Sequence, residues 1–130
     1  MKRLVPALAL LVLVLVLAAC SGSGTTAAPS GPAASADPNA VQISAKDLKF
    51  STADLTAPAN KAFTIAFDNQ DGAPHNIAIY KDSSASQKLF GEEPFGGPKQ
   101  VNYQVGALAA GSYFFRCDVH TDMKGTLTVK

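Results

Sequence analysis

The 130-residue chain has no tryptophan, two cysteines, two histidines and only 16% charged residues. Each scarcity excludes something. Two cysteines cannot form a disulfide scaffold. With 11 basic and 10 acidic side chains, there is no cationic excess to neutralise a phosphate backbone, so an electrostatic nucleic-acid binder is excluded. If Lys2 and Arg3 leave with a leader, 9 basic and 10 acidic groups remain, a net charge of −1. No glycine-rich loop follows a strand and opens a helix, so a phosphate cradle of that kind is missing. No Ser/His/Asp order and no pair of carboxylates at a motif spacing points to hydrolytic or acid–base work. Glu92, Glu93 and the aspartates read as a solvated face.

What is present falls into three unlike stretches. Residues 1–19 begin with the basic Lys2-Arg3 and continue as an apolar run, Leu4 to Leu17, broken only by Pro6. That run is short of the about 20 residues needed to span a bilayer as a helix, and it reads as an export signal. Its end, Leu17-Ala18-Ala19-Cys20, resembles a bacterial lipobox. The resemblance implies cleavage before Cys20, a lipid on its thiol, and membrane attachment through that lipid. A plain secretory signal with an incidental cysteine and an uncleaved anchor are the rival readings. Residues 20–40 are rich in Ala, Ser, Gly and Pro, with Asp37 the one charge. Such a stretch buries too little to offset the entropy of ordering and reads as a disordered tether. Residues 41–130 have the composition of one globular domain.

That domain reads as all-β. Apolar residues alternate at Val41, Ile43 and Ala45, then at Leu48 and Phe50. The alternation returns at Phe63, Ile65 and Phe67, which Asp68-Asn69-Gln70-Asp71-Gly72 ends. It returns again at Ile77 and Ile79, at Val101, Tyr103 and Val105, at Tyr113, Phe115 and Cys117, and at Leu127 and Val129. Helical spacing is never held for three turns after residue 40. Residues 82–98 break the strand rhythm and read as a long connection with room for one helical turn. The pattern predicts a Greek-key, two-sheet sandwich of about seven or eight strands.

The chemistry gathers in four side chains. Past the leader and Cys20, the chain holds one cysteine, two histidines and one methionine: Cys117, His75, His120 and Met123. Three of them make Cys117-x2-His120-x2-Met123, just after an alternating strand. Given the cysteine, composition alone produces that spacing about once in four thousand trials. The fourth, His75, stands in Pro74-His75-Asn76 at the opening of another predicted strand. A thiolate, two imidazoles and a thioether form a donor set soft enough for Cu(I) and nitrogen-rich enough for Cu(II). Singly, each has a blander reading: Cys117 as a small buried hydrophobe, His75 as a strand-edge histidine, Met123 as core filler. A Cys20–Cys117 disulfide is a further alternative in an exported chain, removed if Cys20 is lipidated. Tyr113 reads as a tyrosine corner, its hydroxyl bonded to nearby backbone.

These motifs, with Gly111-x-Tyr113-x-Phe115-x-Cys117 before the loop and Gly125-Thr126-Leu127 after it, resemble the cupredoxins, the small blue-copper fold of plastocyanin, amicyanin and pseudoazurin. The resemblance covers residues 41–130, and the loop is of the short, amicyanin type. It implies one copper ion cycling between Cu(I) and Cu(II), with His75, Cys117 and His120 as equatorial ligands and Met123 as the axial one. Asn76 matches the residue that ties the two ligand-bearing segments together. Thr121 departs from the pattern, since a proline commonly follows the second histidine.

Four protein ligands leave no open position for a substrate, so outer-sphere electron transfer is expected rather than an enzyme. Two histidines are too few for a multicopper oxidase, and a binuclear centre needs a second loop cysteine. The expected protein is a lipid-anchored, extracytoplasmic, monomeric electron carrier that binds no nucleic acid. Its redox partners would dock near His120, on a rim formed by Pro74 and Pro94-Phe95-Gly96-Gly97-Pro98. The alternative is a copper-binding lipoprotein for copper handling or delivery.

Overall fold

In the computed structural model, residues 39–130 are described, and the first strand starts where the alternating pattern does. The expected leader, the lipidation site Cys20 and nearly all of the expected tether lie outside the described residues. Nine strands follow in order: β1 (Val41–Lys46), β2 (Lys49–Phe50), β3 (Asp54–Ala57), β4 (Phe63–Asn69), β5 (Ala78–Tyr80), β6 (Lys88–Gly91), β7 (Lys99–Val105), β8 (Gly111–Arg116) and β9 (Lys124–Val129). They form a four-stranded sheet, β2-β1-β4-β7, and a five-stranded sheet, β3-β9-β8-β5-β6. Strands β1 and β4, and β3 and β9, pair in parallel; every other pairing is antiparallel.

Alternation explains the two layers. In β4, Phe63, Ile65, Phe67 and Asn69 point inward while Thr64, Ala66 and Asp68 stand at the surface side. Tyr103 and Val105 of the neighbouring β7 extend this inner face, and Tyr113 and Phe115 of β8 with Leu127 and Val129 of β9 face it from the other sheet. Phe115 is fully buried, and its ring lies 5.6 Å from that of Phe50. Gly125 is required where β9 passes this ring: a Cβ there would lie 2.6 Å from Phe115 Cζ and 2.2 Å from the Ala53 carbonyl. The Tyr113 hydroxyl donates to the Ala109 carbonyl at 2.9 Å, closing the corner before β8.

The structure corrects the sequence reading in three places. Among the described residues the strands number nine against about seven or eight expected, because β3, whose apolar side chains are only Leu55 and Ala57, and β6, which does not alternate, were not read as strands. Residues 82–98 contain β6 and no helix; β6 pairs with β5 and forms an edge of the five-stranded sheet. His75 does not open a strand: it precedes β5 and pairs alone with Phe95, each amide donating to the other's carbonyl at 3.1 Å. That bridge brings the end of the 82–98 segment against the histidine.

Candidate metal centre

Cys117 follows β8, its side chain fully buried at one end of the sandwich. Its amide donates to the Met123 carbonyl at 2.9 Å, and the Met123 amide donates to the His120 carbonyl at 2.9 Å. These two bonds close the 117–123 loop, so that spacing by three returns each candidate ligand toward one point before β9 begins. His75 arrives from the other side, held at its backbone by Phe95. Met123, which ends the loop, is buried, and His120 is partly exposed.

The donor atoms converge. His75 Nδ1 lies 3.8 Å and His120 Nδ1 3.9 Å from Cys117 Sγ, and the two Nδ1 atoms are 3.1 Å apart. These separations place a point in their plane about 2.1 Å from all three atoms, the length of a metal–nitrogen or metal–thiolate bond to within a few tenths of an ångström. Two ring nitrogens and a thiol sulfur facing one another in a buried site have little to offer each other without a cation between them. The donor set therefore fits copper: His2Cys in a trigonal arrangement, with a thioether alongside.

The tautomer that such a site needs is set by Asp71. His75 Nε2 lies 3.0 Å from Asp71 Oδ2, and an ionised carboxylate only accepts, so Nε2 carries the hydrogen and Nδ1 presents its lone pair. The carboxylate is itself fixed by the turn between β1 and β2. Oδ1 accepts from the Asp47 amide at 2.9 Å and Oδ2 from the Leu48 amide at 3.1 Å. Asp47 and Leu48 have φ of 53° and 56°, left-handed values that aim consecutive N–H groups at one anion. The Leu48 and Asp47 amides chiefly hold the Asp71 carboxyl below its ordinary range, against desolvation, with His75 adding to the lowering. Gly97 completes the bracket: its amide donates to the Asp71 carbonyl at 2.7 Å, and a Cβ on it would lie 2.0 Å from the Asn69 carbonyl.

Asn76 joins the two ligand segments. Its Oδ1 accepts from the Asp118 amide at 2.8 Å, and its Nδ2 donates to the Glu92 carbonyl at 2.7 Å. Asp118, directly after Cys117, also accepts from the Tyr80 hydroxyl and from Lys88 Nζ. Burial pulls the Asp118 carboxyl upward, but hydrogen bonds from Lys88, Tyr80 and Asn76 outweigh it and leave it below its ordinary value. The same Lys88–Asp118 bond raises the lysine. Sequence reasoning missed Asp71 and Asp118. Asp71 sits in a run that reads only as a strand stop, and Asp118 acquires its role from Lys88, 30 residues earlier.

Among the described residues, a β-sandwich that gathers one Cys-His-His cluster at an end, with Cys117 and His75 buried and His120 partly exposed, defines a class: small metal-binding sandwiches whose site is built from protein side chains. The chain matches the Cupredoxin-like domain family over residues 8–129 and belongs to that family. It is 31% identical over 104 residues to amicyanin of Paracoccus versutus, covering 76% of this chain and 73% of that protein. It is also 31% identical over 88 residues to plastocyanin of Scenedesmus fuscus, covering 64% of this chain and 88% of that one. Among solved structures, auracyanin A of Chloroflexus aurantiacus, described as a blue copper protein, superposes with a TM-score of 0.62 at 23% identity, covering 70% of this chain and 98% of that chain. Reduced auracyanin of Roseiflexus castenholzii gives a TM-score of 0.63 at 21% identity, with 71% and 97% covered.

Proposed function

We propose that this chain is a type 1 copper protein that carries single electrons between extracytoplasmic redox partners, tethered to a membrane by a lipid on Cys20. The observation that carries the copper reading is the convergence of Cys117 Sγ and the two Nδ1 atoms on a point about 2.1 Å from each, beside buried Met123. In that reading His75, Cys117, His120 and Met123 would hold the copper. Copper held there supplies one-electron exchange between Cu(I) and Cu(II).

The protein's own contribution is rigidity and exclusion of water. Asp71 keeps the His75 ring oriented, Asn76 keeps the two ligand segments in register, and full burial of His75 and Cys117 denies water a coordination position. A site fixed in this way changes little between oxidation states, which lowers the reorganisation that each transfer requires. His120 is the part-exposed ligand, flanked by the half-exposed side chain of Val119. It is the natural contact for a partner, with Pro74 and the Pro94–Pro98 stretch as rim. The test is protein-film voltammetry together with NMR self-exchange on copper-loaded protein. A reversible one-electron wave and self-exchange much faster than copper loss support a carrier. Copper loss to a chelator or acceptor faster than self-exchange would make the chain a delivery protein instead.

A further inference from the structure

Lys88 lies on the edge strand β6, with its side chain 48% exposed, yet Nζ is 2.6 Å from Asp118 Oδ2. Asp118 is the residue after Cys117. Its Oδ1 accepts the Tyr80 hydroxyl, Arg116 Nε stands 3.7 Å from that same oxygen, and Asn76 Nδ2 donates to Oδ2 at 3.3 Å. The Arg116 guanidinium and Lys88 Nζ also lie 4.9 Å and 5.7 Å from the centre of the Tyr80 ring. One anion thus stands on the residue after the candidate thiolate ligand, tied to Asn76 beside His75, and two cations from different strands face it. An ion pair with so exposed a lysine contributes little to folding. Its position matters more than its strength, because a fixed charge near a metal acts unequally on two oxidation states that differ by one unit.

We infer that Lys88 is a positioning residue of the metal centre, neutralising Asp118 beside Cys117 and thereby holding the reduction potential of the copper couple up. The inference rests on the copper reading above. It also assigns a role to the 82–98 segment: β6 delivers a compensating charge to Asp118. Without the ammonium, the carboxylate next to Cys117 favours the more positive Cu(II) and the potential falls. Without the carboxylate, Lys88 and Arg116 are left unbalanced and the potential rises. With both removed, the net charge of the cluster is that of the unaltered protein.

The experiment is voltammetry of the full-length copper-loaded protein and of K88M, K88E, K88R, D118N and the double variant K88M/D118N, with visible spectra of each. The expected ratio of Cu(II) to Cu(I) affinity rises about threefold in K88M, a fall of about 28 mV at 59 mV per tenfold change for a one-electron couple. K88E falls further, K88R stays with the unaltered protein, D118N rises, and the double variant returns toward the start. A merely structural salt bridge would move K88M and D118N the same way and would not restore the double variant; that pattern overturns the inference. Should D118N fail to fold, the graded K88R, K88M, K88E series still decides, and equal potentials across it overturn the inference while the blue band stands. No blue band in the unaltered protein would overturn the copper reading itself, and this inference with it.

Discussion

At the scale of single residues, the site divides into atoms that would touch copper and atoms that aim them. Met123 is in the first group. Its Leu substitution keeps the side chain buried and removes a fourth donor, a loss that costs the more positive Cu(II) more than Cu(I), so Met123→Leu is expected to retain copper and raise the reduction potential. Voltammetry checks this, and a lower potential or full copper loss would contradict an axial role. Asp71 is in the second group. Asp71→Ala frees the His75 ring from its 3.0 Å partner and leaves the Asp47 and Leu48 amides without their acceptor. Loss of such an outer hydrogen bond typically costs 10- to 100-fold in metal affinity. Competition against a chelator of known affinity measures it, and Asp71→Glu is expected to recover part of the loss. The four candidate ligands were legible in the sequence because the cysteine, histidines and methionine are so scarce that their spacing stands out. Asp71 and Asp118 were not: aspartate is common and favours turns, and only the folded register sets one beside His75 and the other beside Lys88.

At the scale of elements, the long strands β4, β7, β8 and β9 were legible because each alternates over at least six residues with an inward aromatic or branched side chain. The short β3 and β6 were not. In β6, Lys88, Leu89 and Gly91 are exposed and Phe90 is partly buried, so no two-residue period marks it, and only pairing with β5 makes it a strand. The loop ends of these elements carry the pH dependence. Asp118 has its folded value held below the ordinary 3.8, chiefly by Lys88, Tyr80 and Asn76 against the upward pull of burial. A carboxylate lowered in this way adds stability above its unfolded value, and that stability is lost as pH falls through the folded value. Metal-free protein is therefore expected to lose a small part of its urea resistance below about pH 4. Asp118→Asn should be less stable at neutral pH and lose less on acidification. Equal acid sensitivity of the two proteins would contradict this account of the β5–β6–β8 junction.

At the scale of the whole molecule, the reading assigns attachment and redox chemistry to separate parts of the chain. Cys20→Ala is expected to move the protein from the membrane fraction to the soluble one while leaving the copper spectrum unchanged. One acyl chain binds a membrane only reversibly, whereas two or more anchor it. Fractionation after a high-salt wash reads the outcome, and retention of the variant would point to an uncleaved helix. Within residues 39–130, both sheets converge on the end that holds Cys117, His75 and His120, while the opposite end is closed by the Tyr113 corner. The central claim is that these side chains make a copper–thiolate bond in a closed, trigonal site. The most direct measurement is the visible and EPR spectrum of the Cu(II)-loaded chain beside that of Cys117→Ser. The account predicts one copper per chain, an intense thiolate-to-copper charge-transfer band with narrow hyperfine splitting, and loss of that band in Cys117→Ser with the β structure intact. A weak, tetragonal spectrum in the unaltered protein, or an unchanged blue band in Cys117→Ser, would contradict it.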